Sequence, residues 1–443
     1  MSSTIDTLAS IRSQDEVDDL TQLQLRVAHE RLVTQRSSMR ALDYRANEAG
    51  IESIDSVENL VPLLFAHSTY KTYPESFIEQ GKWSLLSTWL DTVSTCEVSK
   101  IDMSDVVDLD AWIDRLAEAG ITIIASSGTS GKHSFITLNE SDFERLRVAQ
   151  SQMWDIAPGI GHPDSRPFAY LGPLSAPPLL GARRRMLPSG ADVLTNERVR
   201  LAENVEFARV RNAVANGTAS PSEVKHMESR IKERSDGLLS ELKVIADKIF
   251  ARRDVPQTIS GMVGMFWRLM ELGKEEGIPE GSFHPESLML MNGGLKGLVV
   301  PDDFQEQLDR FFGNVSSPKM YGMTELSSQM VMCEARKYHV PAELLPLILD
   351  ESGEHLLTPG EDRKVKGRFA AFNLLIEGHW GGVISGDQVT ADFSPFCECG
   401  LRGPVIEENV IRYSELSVAG DDKLTCGGTM EQYIRGSIEP ELA

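Results

Sequence analysis

The sequence predicts an α/β protein, and three stretches carry that expectation. ITIIA at 121–125 is a β-branched run that feeds at once into a loop of glycines and hydroxyls. FAYLGPLSAPPLLG at 168–181 has a strand pattern opening into a proline-rich loop, and SLMLMNGG from Ser287 is an apolar strand ending on glycines. Helical patterns separate the three, and alternation of this kind builds α/β folds.

The elements follow in order. Residues 15–50 read as one long helix or two, since Val17, Leu20, Leu23, Leu25, Val27 and Leu32 alternate with charges and no Gly or Pro intervenes until Gly50. Residues 57–100 mix short apolar segments with turn residues, and Ala111 to Ala119 reads as a helix stopped by Gly120. ITIIA then reads as a buried strand. After a Ser141–Asp142 start, Phe143 to Ile156 has helical spacing. From Asn196 to Arg253 the chain is charged, with Val224, Met227, Ile231, Leu238, Leu242, Ile245 and Ile249 at amphipathic spacing; a solvated helical cover is the expectation, ahead of a partner-binding helix. Asp302 to Phe312 is helical, PKMYGMTE follows, and residues 365–415 look β-rich. There is no internal repeat.

Composition narrows the function. The chain has 443 residues and a formal charge of −22. A nucleic-acid binder needs a basic footprint to release counterions, and no dense run of Lys and Arg supplies one; anionic membrane surfaces are disfavoured for the same reason. Length suggests two to four domains or one large body, enough to bury roughly three quarters of the unfolded surface. Five cysteines are odd in number and too few for a disulfide framework, and the N-terminus is polar and acidic. A reducing, cytoplasmic setting is expected, and no apolar run approaches the ~20 residues that span a bilayer.

SSGTSGKHS at 126–134 combines small residues for close approach, hydroxyl and N–H donors, and one cation, which is what a polyphosphate cradle needs. A P-loop is disfavoured at both ends, because Ser126 stands where its first glycine belongs and His133 follows Lys132 where Ser or Thr is required. Taken alone, the loop also reads as an ordinary flexible turn.

Tyr321-Gly322-Met323-Thr324-Glu325 changes the balance. SSGTSGK and YGMTE together resemble the two signature motifs of the adenylate-forming superfamily, and Ser385-Gly386-Asp387 matches the Gly-Asp that follows them there. Four further features resemble the phenylacetate-CoA ligases and the acyl-protein synthetases of bacterial bioluminescence: NGGLKG at 292–297, CECG at 397–400, Cys333 at its distance after YGMTE, and His339 trailing it. The resemblance covers roughly residues 120–435. It implies the large N-terminal domain of that superfamily, two α/β subdomains with a small β-rich one, over residues 1–415, with a helical extension at about 1–56 and a hinge remnant or truncated segment at 416–443.

The same resemblance implies roles. Thr129, Ser130, Gly131 and Lys132 would hold the β- and γ-phosphates of ATP, with Ser127 and Gly128 also in the nucleotide site, Thr324 would donate to the α-phosphate, and Glu325 would help hold Mg²⁺. The Tyr321 ring would pack on adenine, Asp387 would accept the ribose hydroxyls, and Gly322 and Arg402 would complete the nucleotide site. Gly293 and Gly294 would let backbone pass close to adenine and acyl group. Residue by residue, alternatives stand beside these roles: Thr324 and Glu325 as a plain helix start, Asp387 as a turn residue.

Cys397-x-Cys399 and Cys333-x5-His339 offer four soft ligands suited to a closed tetrahedral structural Zn²⁺. Buried inert cysteines are the other reading, and the ligase resemblance favours zinc.

The chain departs from the superfamily near residue 418, where Val418 and Ala419 replace the usual Gly and Arg, and the expectation from the resemblance is that the swinging C-terminal domain with its catalytic lysine is missing or truncated. Lys132 or Lys296 would then supply the missing positive charge. Cys426 is a candidate internal acyl carrier, as in the acyl-protein synthetases, or a packed cysteine. The expected function is ATP-dependent activation of an aromatic or fatty acid, with transfer to coenzyme A, a carrier protein, a partner enzyme, an internal thiol or an amine; a homodimer is admitted. A non-catalytic nucleotide-binding scaffold is the alternative.

Overall fold

The computed structural model describes residues 4–12, 19–126, 132–153, 165–173, 187–188, 190–195, 200–292 and 299–416. The chain divides into two units, one of 1–156 with 321–443 and one of 157–320.

The unit of 157–320 is built on four parallel strands in the order Asp192–Thr195, Phe168–Pro173, Thr258–Met262, Leu288–Asn292. Parallel strands are covered on both faces and so carry continuous apolar runs, as Leu288–Asn292 does. Phe266, Leu269, Phe311 and Phe312 from the helices Val263–Glu275 and Phe304–Phe312 close over Ile259 and Met289. The charged stretch forms two helices, Leu201–Ala215 and Pro221–Ala251. The second begins with a capping box, Ser220 and Glu223 bonding each other's backbone N–H, and with Pro at its first turn. Only its last third enters the core, through Leu242, Ile245, Ile249 and Phe250. Ile231, in the same amphipathic series, is 47% exposed, so the N-terminal part is the solvated helix the charges indicated.

The other unit is organised around a seven-stranded sheet running Lys337–His339, Val405–Glu407, Gly382–Asp392, Lys364–Asn373, Leu344–Leu349, with Phe65–Ala66 and Ile411–Arg412 also paired to Gly382–Asp392. The main path is antiparallel, as the β-rich reading of 365–415 allows. Leu20–Gln35 and Arg40–Ala49 are separate helices, the second of the two alternatives the sequence left open over 15–50. Leu109–Glu118 is the helix stopped at Gly120, whose φ of +80° a glycine adopts without strain.

Two local expectations are corrected. Thr122–Ala125 is one arm of an antiparallel hairpin with Phe135–Leu138, half-buried rather than buried, so the glycine–serine loop joins two strands. The following helix, Glu140–Met153, is capped by Asn139 and not by Ser141: Asn139 Oδ1 accepts the Asp142 N–H and Asp142 Oδ2 accepts the Asn139 N–H, both at 2.9 Å.

Asp142 does more than close that box. Its carboxylate also accepts the N–H groups of Glu377 at 2.7 Å and Gly378 at 2.9 Å, in the turn joining Lys364–Asn373 to Gly382–Asp392. Buried Arg31 grips the same turn from the opposite end of the sequence, donating to the carbonyls of Asn373, His379 and Trp380 at 2.6, 2.8 and 2.5 Å. Burial lowers the Arg31 pKa to about 10 and raises that of Asp142, against which the backbone N–H bonds from Asn139, Glu377 and Gly378 act to hold it down. Asp142→Ala strands several buried N–H groups and should cost about 3 kcal/mol in urea unfolding, while Asn139→Ala, a cap loss alone, should cost about 1 kcal/mol; equal effects would contradict the turn-holding role.

Candidate functional site

The loop at 126–134 springs from a rigid base. Ser126 N–H donates to the Ser134 carbonyl at 3.1 Å and Ser134 N–H to Ser126 Oγ at 2.9 Å, so the two serines tie the loop's ends together. His133 Nδ1 bonds the Ser126 carbonyl at 2.7 Å, and burial holds its pKa below the ordinary value, which keeps it neutral. Beneath lie Phe135, Tyr73, Trp89 and Trp112, with ring centroids 4.9 to 6.4 Å apart, and Tyr73 hydroxyl donates to the His133 carbonyl at 3.0 Å. Lys132 Nζ stands 4.6 Å over the Tyr73 ring, a cation–π contact that places the ammonium at the loop's end.

YGMTE forms the outgoing strand and turn of a second hairpin, Met320–Met323 paired with Ser328–Val331. A Cβ on Gly322 would sit 2.5 Å from the Ser328 carbonyl oxygen, so only glycine lets these strands approach. Thr324 and Glu325 open a single 3-10 turn, Thr324–Leu326, which Met323 precedes without a side-chain cap. Glu325 is buried, and its Oε1 accepts from Ser134 Oγ at 2.7 Å. The loop's base and the second motif, 191 residues apart in sequence, meet in that bond.

The third motif joins them. Tyr321 hydroxyl donates to Asp387 Oδ2 at 3.0 Å, and its ring packs 5.5 Å from Phe369 and 5.8 Å from Tyr338. Burial first, then the Asp387 charge, holds the phenol well above its ordinary pKa, so it donates. Asp387 lies within a strand rather than a turn, and its second oxygen faces Arg412 at 3.9 Å.

The four soft ligands also converge. Two tight turns face each other, closed by Cys333 N–H to the Lys337 carbonyl and Cys397 N–H to the Leu401 carbonyl at 2.9 and 2.8 Å. Cys333 Sγ lies 3.9 Å from Cys397 Sγ, Cys399 Sγ lies 3.3 Å from His339 Nε2, and all four ligand atoms fall within 4.8 Å of one another. His339 Nδ1 bonds the Arg402 carbonyl at 2.9 Å, which directs Nε2 toward the sulfurs. Arg402, expected at the nucleotide, instead belongs to this turn, with its guanidinium 5.8 Å over the Phe396 ring.

Ser127, Gly128, Thr129, Ser130, Gly131, Gly293, Gly294, Lys296 and Cys426 lie outside the described residues. Sequence reasoning assigned no role to Ser134, although it closes the very stretch singled out. It also missed Arg368, whose only signal is a lone cation in the otherwise apolar RFAAF run.

No protein-family model matches the chain, and no curated protein matches it. Among solved structures it is similar to a 2-hydroxyisobutyryl-CoA ligase in complex with 2-HIB-AMP and CoA, at 11% identity and a TM-score of 0.51, covering 90% of this chain and 69% of the ligase. An o-succinylbenzoate CoA synthetase from Bacillus subtilis matches at 14% identity and a TM-score of 0.34, over 64% of this chain and 48% of the synthetase. An NRPS protein with adenylation and PCP domains matches at 14% and 0.32, over 66% and 54%. The 2-hydroxyisobutyryl-CoA ligase shares this chain's α/β fold. Among the described residues no helix is long and apolar enough to cross a membrane.

Behind the YGMTE hairpin, buried Glu343 accepts one side-chain bond, from Ser328 Oγ at 3.1 Å, and desolvation pushes its pKa up to about 7. A carboxyl raised in the folded state adds no penalty below its unfolded value near 4.5 and loses stability as pH rises through about 7. Glu343→Gln should therefore gain about 3 kcal/mol relative to wild type between pH 4.5 and pH 8, read by urea unfolding at each pH. A pH-independent difference would remove the assignment.

Proposed function

We propose that the chain activates a carboxylic acid with ATP, forming an acyl-adenylate and releasing pyrophosphate. The buried Ser134–Glu325 bond carries the reading, because it sets the end of the glycine–serine loop against YGMTE, while Tyr321 links YGMTE to Asp387. In such a reaction charge gathers on phosphate oxygens, and positioned donors and cations do most of the work. Lys132 and the loop donors Thr129, Ser130 and Gly131 would hold the β- and γ-phosphates, and Thr324 would donate to the α-phosphate. Asp387 retains acceptor capacity beyond the Tyr321 hydroxyl for the ribose, and the Tyr321 ring would flank the adenine. Gly293 and Gly294 would border adenine and acid, and Lys296 would add positive charge.

Mg²⁺ fits Glu325: it binds by one or two carboxylates plus substrate phosphates, and Ser134 occupies only one Glu325 oxygen. When bound it would neutralise charge on the phosphates; Ser134 would keep the carboxylate pointed for that task. Zinc fits the Cys333, His339, Cys397 and Cys399 cluster, since ligands at ~2.3 Å in a tetrahedron place sulfurs about 3.8 Å apart, against 3.9 Å for Cys333 to Cys397. The ion's role would be structural, tying the strand after Glu325 to the turn that follows the Asp387 strand.

The cysteine pattern and NGGLKG favour the phenylacetate-CoA ligase and acyl-protein synthetase branch, hence an aromatic or fatty acid. Coenzyme A, a carrier protein or a partner enzyme would take the acyl group, directly or through Cys426, in a cytoplasmic setting.

The test is carboxylate-dependent exchange of labelled pyrophosphate into ATP. Wild type should exchange with at least one acid of a broad panel; Glu325→Gln and Asp387→Asn should lose on the order of 10²-fold in kcat/KM with the fold intact. ATP binding without exchange for any acid would favour a nucleotide-binding scaffold. Protein purified without chelator should carry one zinc per chain, and Cys399→Ser should carry much less; a metal-free wild type would sink the four-ligand site.

A further inference from the structure

The motif Ser385-Gly386-Asp387 sits on a bulge. Arg368 pairs with Gln388 and Ala370 with Ile384, so three residues of one strand stand across from Phe369 alone. A bulge re-aims side chains and leaves backbone groups without ladder partners, so something must hold it. Ser385 does part of this, its Oγ donating to the Phe369 carbonyl at 2.7 Å and accepting the Asp387 N–H at 3.1 Å.

Arg368 does the rest. It is 2% exposed, and its Nη1 donates to the Ser385 carbonyl at 3.0 Å. From the other side of the fork, Nε and Nη2 donate to the Glu351 carbonyl at 3.0 and 2.9 Å, and the guanidinium plane lies 3.9 Å over the Tyr413 ring. The planar fork thus ties the bulge to the 351 turn and to the residue after Arg412, itself the cross-strand partner of Asp387.

We infer that Arg368 is the positioning residue that sets Asp387 to read a ribose diol, so that preference for a ribonucleotide over its deoxy forms depends on Arg368 acting through Ser385. The inference rests on the nucleotide reading proposed above. Arginine suits the task because it spans two carbonyls and a ring at once; a lysine reaches one carbonyl as a point charge. Without the fork the Ser385 carbonyl is released, the bulge relaxes, and the carboxylate loses its fixed direction while still being present.

The experiment compares binding of ATP and 2′,3′-dideoxy-ATP, each with Mg²⁺, by calorimetry on the full chain. Wild type should prefer ATP by roughly tenfold or more per hydroxyl–carboxylate bond, and Asp387→Asn should abolish most of that preference. Arg368→Met and Tyr413→Leu should each cut the ATP to dideoxy ratio at least threefold, with the dideoxy affinity held near wild type, and Arg368→Lys should recover little. A structural role alone would weaken both ligands together. Should Arg368→Met fail to fold by near-UV circular dichroism, Tyr413→Leu, which keeps Arg368, decides the matter. Unchanged ratios in a wild type that does discriminate would overturn the inference alone; a wild type that binds no ATP, or binds both nucleotides equally, would overturn the nucleotide reading and the inference with it.

Discussion

The turn between the two longest strands, Lys364–Asn373 and Gly382–Asp392, is the constraint on which the unit of 1–156 and 321–443 depends. Arg31 and Asp142, more than a hundred residues apart, reach its carbonyls and its N–H groups respectively. Each charge finds oriented dipoles in place of water, so burial of an ion becomes affordable and both backbone ends of the turn are satisfied. With the turn fixed, both long strands are fixed. One carries Arg368, the other carries Asp387.

The site's electrostatics follow from the same economy of charge. A chain at −22 repels polyphosphate, yet the stretch closed by Ser126 and Ser134 offers donors and the Lys132 ammonium. Among the described residues Glu325 is kept buried and directed by a hydroxyl rather than paired with a cation. A carboxylate held that way has one oxygen spoken for and one left over, the arrangement a hard cation shared with phosphate requires. The Tyr321 phenol treats Asp387 similarly. Both acids of the candidate site accept from a neutral hydroxyl, and Asp387 also faces the Arg412 guanidinium at 3.9 Å.

Much of this was legible in the sequence, and the remainder was illegible for physical reasons. Apolar periodicity exposed two of the four parallel strands, Phe168–Pro173 and Leu288–Asn292, with the long charged helix and the β-rich end, because burial on one face or two leaves a regular trace; Asp192–Thr195 and Thr258–Met262 went unread. The Cys–His cluster was readable because soft ligands are rare and paired closely in sequence. What stayed hidden depends on partners far along the chain. ITIIA carries no mark that its partner is Phe135–Leu138, antiparallel, and Asn139 outcompetes Ser141 as a cap only because Asp142 returns the bond. Arg402 was expected at the nucleotide, and nothing in the sequence marks that its carbonyl holds His339. Arg368 could be noticed as a cation among apolar residues, yet its carbonyl partners have no side-chain signature.

The bulge at Ser385–Asp387 has a parity. Its strand carries two surplus residues relative to the partner, an even number, so side chains on either side of it keep the same faces toward the core. An odd surplus would turn one half of the strand inside out, exchanging Val389 and Ala391, both buried, with their solvent-facing neighbours. The bend can therefore be inserted or excised as a unit of two without disturbing the sheet on either flank, which makes it a place where a strand can acquire a ligand-facing carboxylate while the fold around it stays as it was.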